Sequence, residues 1–563
     1  MIGYHQEAET TLLTVADGKY VIPNSFEEML KSPQRAEWLI ALDNENRSLS
    51  ENDVYELVNV EDVPAGTKIV TGRYVNSVKV TPEKEEVFKT RLVAKGFMQK
   101  VGENYIESFA PVSSFDSLRF VLAYSAINNW PITQVDAKTA FLNGKLDFPI
   151  YFKPPTGSGT DTSKCVWLLK RSLYGLCNSP NCWFTTCSLA LESFGFTPSK
   201  VDPCLFYKSG CIFLLYVDDG LCCGSNQKIV DDVIDFLSSK FVMKNLGAPS
   251  MFLGVNIDKV KQGYHINLRD SISKIENEYG VKPPLKLIDS PLSKSVNLFK
   301  SKTRLLKPSE HSVYRSIVGT ILFLANTVRL DVAYPVSLLS QFLAAPQLVH
   351  LNAAKRVLQF LVQTKTDGIL YAAKDQPIAT IDARLVNATK PADQLLDDFP
   401  DAGKYKIHVV TDASFAPEPD RKSQSGYVTL FNNNVVSWGS VKQKVVALST
   451  AESEYIGATE AIKSGICFSN LLTDLGLDST YIELSGDNIA SLHLAAHKTK
   501  HQSTKHIDIK LHFIRNLVKE KRVKLTYVNT TQNLADMLTK VLDGSTLRHL
   551  KCLIMMKKEE CEN

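Results

Sequence analysis

Two aspartates stand side by side inside an apolar run, in CIFLLYVDDGLCCGS. Adjacent like charges repel, and burial penalises the ionised carboxylate, so Asp218 and Asp219 ask for a compensating cation. A turn with a purely structural task more often carries Gly-Asn or Asp-Gly. The pattern predicts a strand, a tight turn and a second strand, with both acids at the tip. A third acid, Asp136 in QVDAKTAFLNG, has Ile132 and Val135 before it and Ala137, Ala140 and Phe141 after it. That is the setting of an acid at the end of a buried strand. Three such carboxylates facing one another suit magnesium, which prefers oxygen ligands in octahedral geometry, and manganese can take the same place. A pair of ions can clamp the attacking and leaving oxygens of an in-line displacement. Nucleotidyl transfer needs this: a primer 3′-hydroxyl of lowered pKa and a stabilised departing pyrophosphate.

A second set of acids lies nearer the C-terminus. HVVTDASF, VVALSTAESEYIGATEAI, LSGDNIAS and TQNLADMLTK carry Asp412, Glu454, Asp487 and Asp536. The pattern predicts Asp412 at the end of a first strand, Glu454 in a helix after a third strand, Asp487 at the end of a fourth strand, and Asp536 opening a last helix. Glu452 is an alternative to Glu454, but the spacing from Ser449 favours Glu454. Four carboxylates brought together by the fold would hold two magnesium ions and activate a water toward a phosphodiester.

The elements that must position these acids are legible in outline. Ser25 reads as an N-cap of an amphipathic helix through SFEEMLKSPQRAEWLIALDNENRSL, with Met29, Trp38, Leu39 and Leu42 on one face. Residues 67–97 alternate as strands, a helix is expected from about Ser114 to Asn128, and PITQVDAKTAFL follows as an apolar strand. Helices are expected over 227–241 and within 311–363. A stretch with Pro377, Pro391 and Pro400 reads as a linker before a second α/β unit.

Composition narrows the class. A hydrophobic share of 44% and a charged share of 22% belong to an ordinary globular chain. The net charge of +4 is compatible with a nucleic-acid partner without requiring one. No apolar stretch is long enough for a membrane helix, and MIGYHQEAETTLL has neither the charged nor the apolar region of a signal peptide. The eleven cysteines lack metal-ligand spacing and are expected as free, buried thiols. His497, His501 and His506 do not have zinc-finger spacing. Lys498, Lys500, Lys505, Arg515, Lys519 and Lys521 are expected on a solvated helix face that meets phosphates.

The blocks QVDAKTAFLNG, IYFKPPTG, LKRSLYGLCNSPNCWF, LLYVDDGL and NLGAPSMFLGVNI, in that order, resemble the reverse transcriptase of copia-type LTR retrotransposons. FKTRLVAKGFMQ before them and YRSIVGTILFLANTVRLDVAY after them match as well. The resemblance runs from about residue 30 to 540. It implies a mixed α+β fold: a right-hand polymerase with fingers, palm and thumb, followed by a ribonuclease H-like α/β domain. The implied divisions are a lead-in and helix over 1–50, fingers and palm over 51–245, and thumb and connection over 246–375. A linker over 376–403, the ribonuclease H-like domain over 404–545 and a tail over 546–563 complete them.

By that resemblance Asp136, Asp218 and Asp219 are the catalytic and metal-binding trio of an RNA-directed DNA polymerase. Asp412, Glu454, Asp487 and Asp536 are those of a ribonuclease acting on RNA–DNA hybrid, with two magnesium ions implied at each site. Phe141 falls at an aromatic gate against the ribose 2′-hydroxyl, Lys89 and Arg91 near the triphosphate, and Tyr174 and Gly175 in the loop bordering the nucleotide. The implied partners are an RNA template, a DNA primer, RNA–DNA hybrid and dNTPs, with no membrane. The process would be transposition with DNA integration, in a cytoplasmic virus-like particle, with a nuclear stage admitted. The capsid and integrase portions of such an element are not found in this chain. The family pattern is not met everywhere. Cys177, Asn178 and Asn181 stand for Lys, Gln and Arg, Leu330 for Pro, and Leu351 for Trp; the loop VNTTQN carries no His, as in copia-type enzymes generally. A second reading follows from those changes: a decayed or domesticated remnant that binds nucleic acid without catalysis.

Overall fold

The computed structural model describes residues 20–80, 85–283, 286–295, 297–300, 303–373, 380–382, 399, 403–477, 481–496 and 505–561; the side chains of 80, 380–382, 493, 496, 505–511, 558 and 559 lie outside that description. The architecture is mixed α/β, with four sheets. The first has five strands, in the spatial order Tyr55–Asn59, Cys165–Arg171, Lys145–Lys153, Val70–Val80 and Glu86–Ala94. The alternation seen in 67–97 becomes the antiparallel pair Val70–Val80 with Glu86–Ala94. Met29, Trp38 and Leu42 are buried against this sheet, and Leu39 is half-buried. Ser25 caps as expected, its side chain accepting from Glu28 N at 3.2 Å. The expected single helix is instead two, Phe26–Lys31 and Arg35–Glu51. Pro33 explains the break, because the residue before a proline is driven out of the helical region, and Ser32 is extended at ψ 143.

The second sheet has six strands. Its order is Met243–Gly247, Ile132–Ala137, Asp219–Gly224, Cys211–Tyr216, Leu205–Lys208 and Thr197–Pro198. The edge strand Met243–Gly247 straddles the division expected at 245. Helix Phe115–Asn128 begins at Ser114, whose hydroxyl accepts from Ser117 N. It ends at Asn129, a left-handed residue of the kind that closes helices.

The third sheet changes the reading of the C-terminal residues. Its strands are Met251–Phe252, Val255–Val260, Gly263–Asn267, Asp367–Ala372 and Met555–Lys557. The last of these pairs antiparallel with Asp367–Ala372, so the described part of the expected tail is built into a sheet. Helix Gly544–Ile554 before it buries Leu547, Leu550 and Ile554. Lys551 Nζ sits 2.7 Å from both Asp331 Oδ2 and Asp367 Oδ2, and Arg329 adds a second cation against Asp331 at 2.8 Å. Charges this deep persist only when paired, and here the pairing ties the C-terminal helix to the connection.

The fourth sheet has the spatial order Thr380–Asp382, Val523–Val528, Ile482–Gly486, Ile407–Ser414, Gln424–Phe431 and Asn434–Lys442. The last three are antiparallel, while Ile482–Gly486 and Val523–Val528 join parallel. Three antiparallel strands followed by two parallel ones, with helix Thr450–Asp474 as the crossover, make the ribonuclease H-like arrangement. The described part of the expected linker contributes a strand, Thr380–Asp382, paired with Val523–Val528. One continuous core runs from helix Phe115–Asn128 through the connection helices into this sheet. Arg119 donates to Val436 O at 2.9 Å and lies 3.9 Å over the Trp438 ring, whose Nε1 donates to Ala325 O at 2.9 Å. The two sites therefore sit on one packed body.

No helix among the described residues is long and apolar enough to cross a membrane. All eleven cysteines are free, seven of them buried, with Cys467 and Cys552 exposed against expectation. Leu330 and Leu351 are buried packing residues.

Candidate active sites

Strand pairing brings the first acids together. Asp136 faces Asp219 in the register of Ile132–Ala137 with Asp219–Gly224, and Asp219 pairs back to Tyr216. Val217 and Asp218 form the tip. Val217 adopts φ 50°, a left-handed conformation that strains a β-branched residue. Two hydrogen bonds hold it: Trp183 Nε1 donates to Val217 O at 2.5 Å, and Ala137 N donates to Asp218 O at 2.8 Å. Trp183 comes from helix Ser179–Ser193 and is fully buried. Burial pushes the Asp219 carboxyl up to about 7, with the charges of Asp218 and Asp136 adding to the rise and a Gln134 hydrogen bond opposing it. A carboxylate that resists ionisation beside two others is a site short of positive charge.

The expected nucleotide-side residues fall into one chain of contacts. Arg91 lies 4.6 Å over the Tyr174 ring, and Tyr174 meets Phe141 edge-on at 5.1 Å. Phe141 is half-buried in the 3-10 turn Ala140–Asn143 and packs on the palm core. Gly175, at φ 86°, has no room for a side chain: a Cβ would sit 2.3 Å from Ala94 O on the fingers strand. Lys89 has its amine pushed down to about 8, first by burial and then by Arg91 and Lys79, while Glu45 and Asp136 act the other way. The three departures from the family loop are absorbed as neutral contacts. The Cys177 thiol donates to Gly96 O at 3.2 Å, Gln99 donates to Asn178 at 3.3 Å, and Asn181 donates to Phe109 O at 2.6 Å.

The second set converges more tightly. Asp412 lies near the end of strand Ile407–Ser414, Glu454 in the first turns of helix Thr450–Asp474, and Asp487 directly after strand Ile482–Gly486. Asp536 sits in the 3-10 turn Leu534–Leu538 rather than opening an α-helix: Asp536 N donates to Asn533 O and Thr539 N to Asp536 O, bonds that span three residues, and the chain leaves helical geometry at Thr539. Carboxylate oxygens of Asp412, Asp487 and Asp536 all lie within 4.8 Å of one another, the one such group among the described residues. The trio Asp136, Asp218 and Asp219 shares a sheet end without closing to that spacing. Ser449 caps the helix by accepting from Glu452 N at 3.2 Å, and the Glu452 carboxylate accepts from Leu448 N at 2.8 Å, so it is occupied at the helix start. Glu454 is instead buried, and its carboxyl is pushed up to about 10 by burial and then by Asp412 and Asp487. Burial, and then Asp412, likewise raise Asp536 to about 7.

Sequence reasoning missed the residues that serve these acids. Thr539 donates its hydroxyl to Asp412 Oδ2, and Thr530 to Asp487 Oδ2 at 2.9 Å. Lys540 Nζ lies 2.9 Å from Asp536 Oδ1 and 3.4 Å from Asp412 Oδ2. The four-residue spacing of Asp536 and Lys540 was the available signal. The donor set fits divalent magnesium or manganese: all oxygen, all carboxylate, from separate elements, with more negative charge than the chain neutralises. Of the basic stretch, residues 497–504 and the side chains of Lys505 and His506 lie outside the described residues. Lys519 and Lys521 are exposed as expected. Arg515 is not on a solvated face: its Nε donates to Leu494 O at 3.0 Å.

Residues 52–284 match the family model for reverse transcriptase (RNA-dependent DNA polymerase). The chain is similar to the retrovirus-related Pol polyprotein from transposon TNT 1-94 of Nicotiana tabacum, at 31% identity over 95% of this chain and 39% of that one. It is also similar to a transposon Ty5-1 protein of Saccharomyces cerevisiae, at 35% identity over 58% of this chain and 99% of that one. A foamy viral protease-reverse transcriptase solved with RNA/DNA hybrid is 12% identical, covers 91% of this chain and 56% of that one, and superposes with a TM-score of 0.44. The chain spans between 33% and 39% of the length of the plant Pol polyproteins it matches. Matched along nearly its whole length by one retrotransposon protein, and covering another almost end to end, the chain belongs to the copia-type retrotransposon Pol family.

Proposed function

We propose that the chain is an RNA-directed DNA polymerase joined to a ribonuclease that degrades the RNA of RNA–DNA hybrid, each using two-metal chemistry. The observation that carries this reading is the existence of two separate carboxylate sites on one packed body, one in the reverse transcriptase match and one on a ribonuclease H-like sheet. Bound magnesium would lower the pKa of an attacking hydroxyl or water and neutralise charge on the leaving oxygen. Asp136 and Asp218 would hold it at the first site, with Asp219 in support; Asp412, Glu454, Asp487 and Asp536 would hold it at the second. Phe141 would crowd a ribose 2′-hydroxyl, its ring fixed in place by Tyr174. Lys89 and Arg91 would face the triphosphate, with Arg91 steered by the Tyr174 ring. The substrates are then dNTPs on a primed RNA template and afterwards the hybrid itself, gripped by charge and 2′-hydroxyls rather than by sequence. Action inside a cytoplasmic particle, with a nuclear stage, belongs to the same proposal.

The neutral contacts of Cys177, Asn178 and Asn181 favour a second reading, a chain that binds hybrid without copying it. Primer extension on RNA with magnesium, run beside hybrid cleavage on the same preparation, tests both. Extension and cleavage support the first reading. Salt-dependent hybrid binding with neither activity supports the second.

A further inference from the structure

The second acid cluster already holds a cation of the chain's own. Lys540 Nζ reaches Asp536 Oδ1 at 2.9 Å and Asp412 Oδ2 at 3.4 Å. Its reach follows from local structure: the 3-10 turn Leu534–Leu538 ends just before it, and neighbouring Thr539 is anchored on Asp412. One ammonium therefore stands among the carboxylates of Asp412, Glu454, Asp487 and Asp536. A second lysine in the molecule makes a useful contrast. Lys551 bridges Asp331 and Asp367 with its side chain only 11% exposed, which is a locked structural pair. The Lys540 side chain is 39% exposed, so its flexible stem has a path to water.

We propose that Lys540 is an exchangeable counter-ion: its ammonium holds Asp412 and Asp536 together in the metal-free chain and swings out to solvent when divalent cations enter the cluster. This rests on the reading of that cluster as a metal site. It predicts two effects of opposite sign. Without Lys540 the metal-free chain is less stable, because the carboxylates face one another unneutralised. The same change tightens divalent binding, because no resident cation has to leave. A lysine with only a packing role gives the first effect without the second.

The test uses the full chain carrying Asp136→Asn and Asp218→Asn, so that the polymerase acids do not compete for metal. Magnesium binding is followed by calorimetry, and thermal unfolding is followed in EDTA. Lys540→Met is expected to lower the unfolding temperature in EDTA and to lower the magnesium dissociation constant by about tenfold, or about 1.4 kcal/mol. Lys540→Arg should restore both toward the parent. Magnesium binding to Lys540→Met that is unchanged or weaker overturns the counter-ion role. Asp487→Asn in the same background separates the two ideas. If magnesium uptake survives that change, the metal-site reading falls and the Lys540 proposal falls with it. If uptake is lost there while Lys540→Met binds no more tightly, the proposal alone is wrong.

Discussion

Trp183→Phe removes one N–H and little volume, and it should disable one site while sparing the other. The indole Nε1 donates to Val217 O, and Val217 is held at φ 50° beside Asp218. Phenylalanine keeps the apolar contact, including most of the edge-on packing with Phe241 at 5.1 Å. What is lost is the partner of a carbonyl on a half-buried residue, worth about 1 kcal/mol. The left-handed Val217 stores a further ~1–3 kcal/mol of strain, which the freed hairpin can release by relaxing. The tip would then move by about an ångström, and a displacement of that size costs a catalytic site about 100-fold in rate. Primer extension should fall by 10- to 100-fold on that estimate, while hybrid cleavage stays at the parent rate because Asp412 and its neighbours lie on another sheet. Urea unfolding measures the stability part separately. A variant that loses stability yet extends primers at the parent rate would refute the claim that Trp183 positions the acids.

Phe141→Ala should raise ribonucleotide incorporation, with lost discrimination of about 1–3 kcal/mol, measured as the ratio of kcat/KM for dNTP and rNTP; an unchanged ratio would return Phe141 to core packing. Lys89 titrates near 8, below the ordinary lysine range, so its positive charge is present below that pH and disappears above it. The kcat/KM for dNTP should therefore drop above about pH 8, and Lys89→Arg, which stays charged, should remove the drop; a profile with the same drop in both proteins would contradict this. Lys551→Met leaves Asp367 and part of Asp331 without a cation in a buried setting, which should destabilise the chain by about 3 kcal/mol in urea. Loss of less than about 1 kcal/mol, the range of an exposed pair, would mean that the C-terminal helix is held by apolar contacts alone.

How much could be read from the sequence divides along physical lines. The acids were legible because their neighbours betray them: charge in the middle of an apolar run is expensive, and Asp136, Asp218 and Asp412 each end such a run. Ser25 and Ser114 were legible as caps because capping is a local rule. Residues that act at long range were not. Trp183 reads as an ordinary buried aromatic, and nothing near it points to Val217. Lys551 reads as the charge of a solvated terminus, yet its partners precede it by 220 and 184 residues. Lys540 carries a faint signal in its spacing from Asp536, but the sequence reads as the start of a helix where the structure has the 3-10 turn that aims it. The break at Pro33 was written in the sequence and outweighed by the hydrophobic period on either side of it.

The central claim is that the chain houses two independent carboxylate sites, and one paired measurement tests it most directly. Asp218→Asn and Asp487→Asn each replace a charge with a neutral group of the same size, so neither should disturb folding. Both are assayed on the same preparations for primer extension on RNA and for cleavage of RNA–DNA hybrid. The account predicts a crossed result: Asp218→Asn abolishes extension and leaves cleavage, and Asp487→Asn abolishes cleavage and leaves extension, since an amide cannot replace an ionised metal ligand. Extension that persists in Asp218→Asn, cleavage that persists in Asp487→Asn, or loss of both activities in either variant would contradict it.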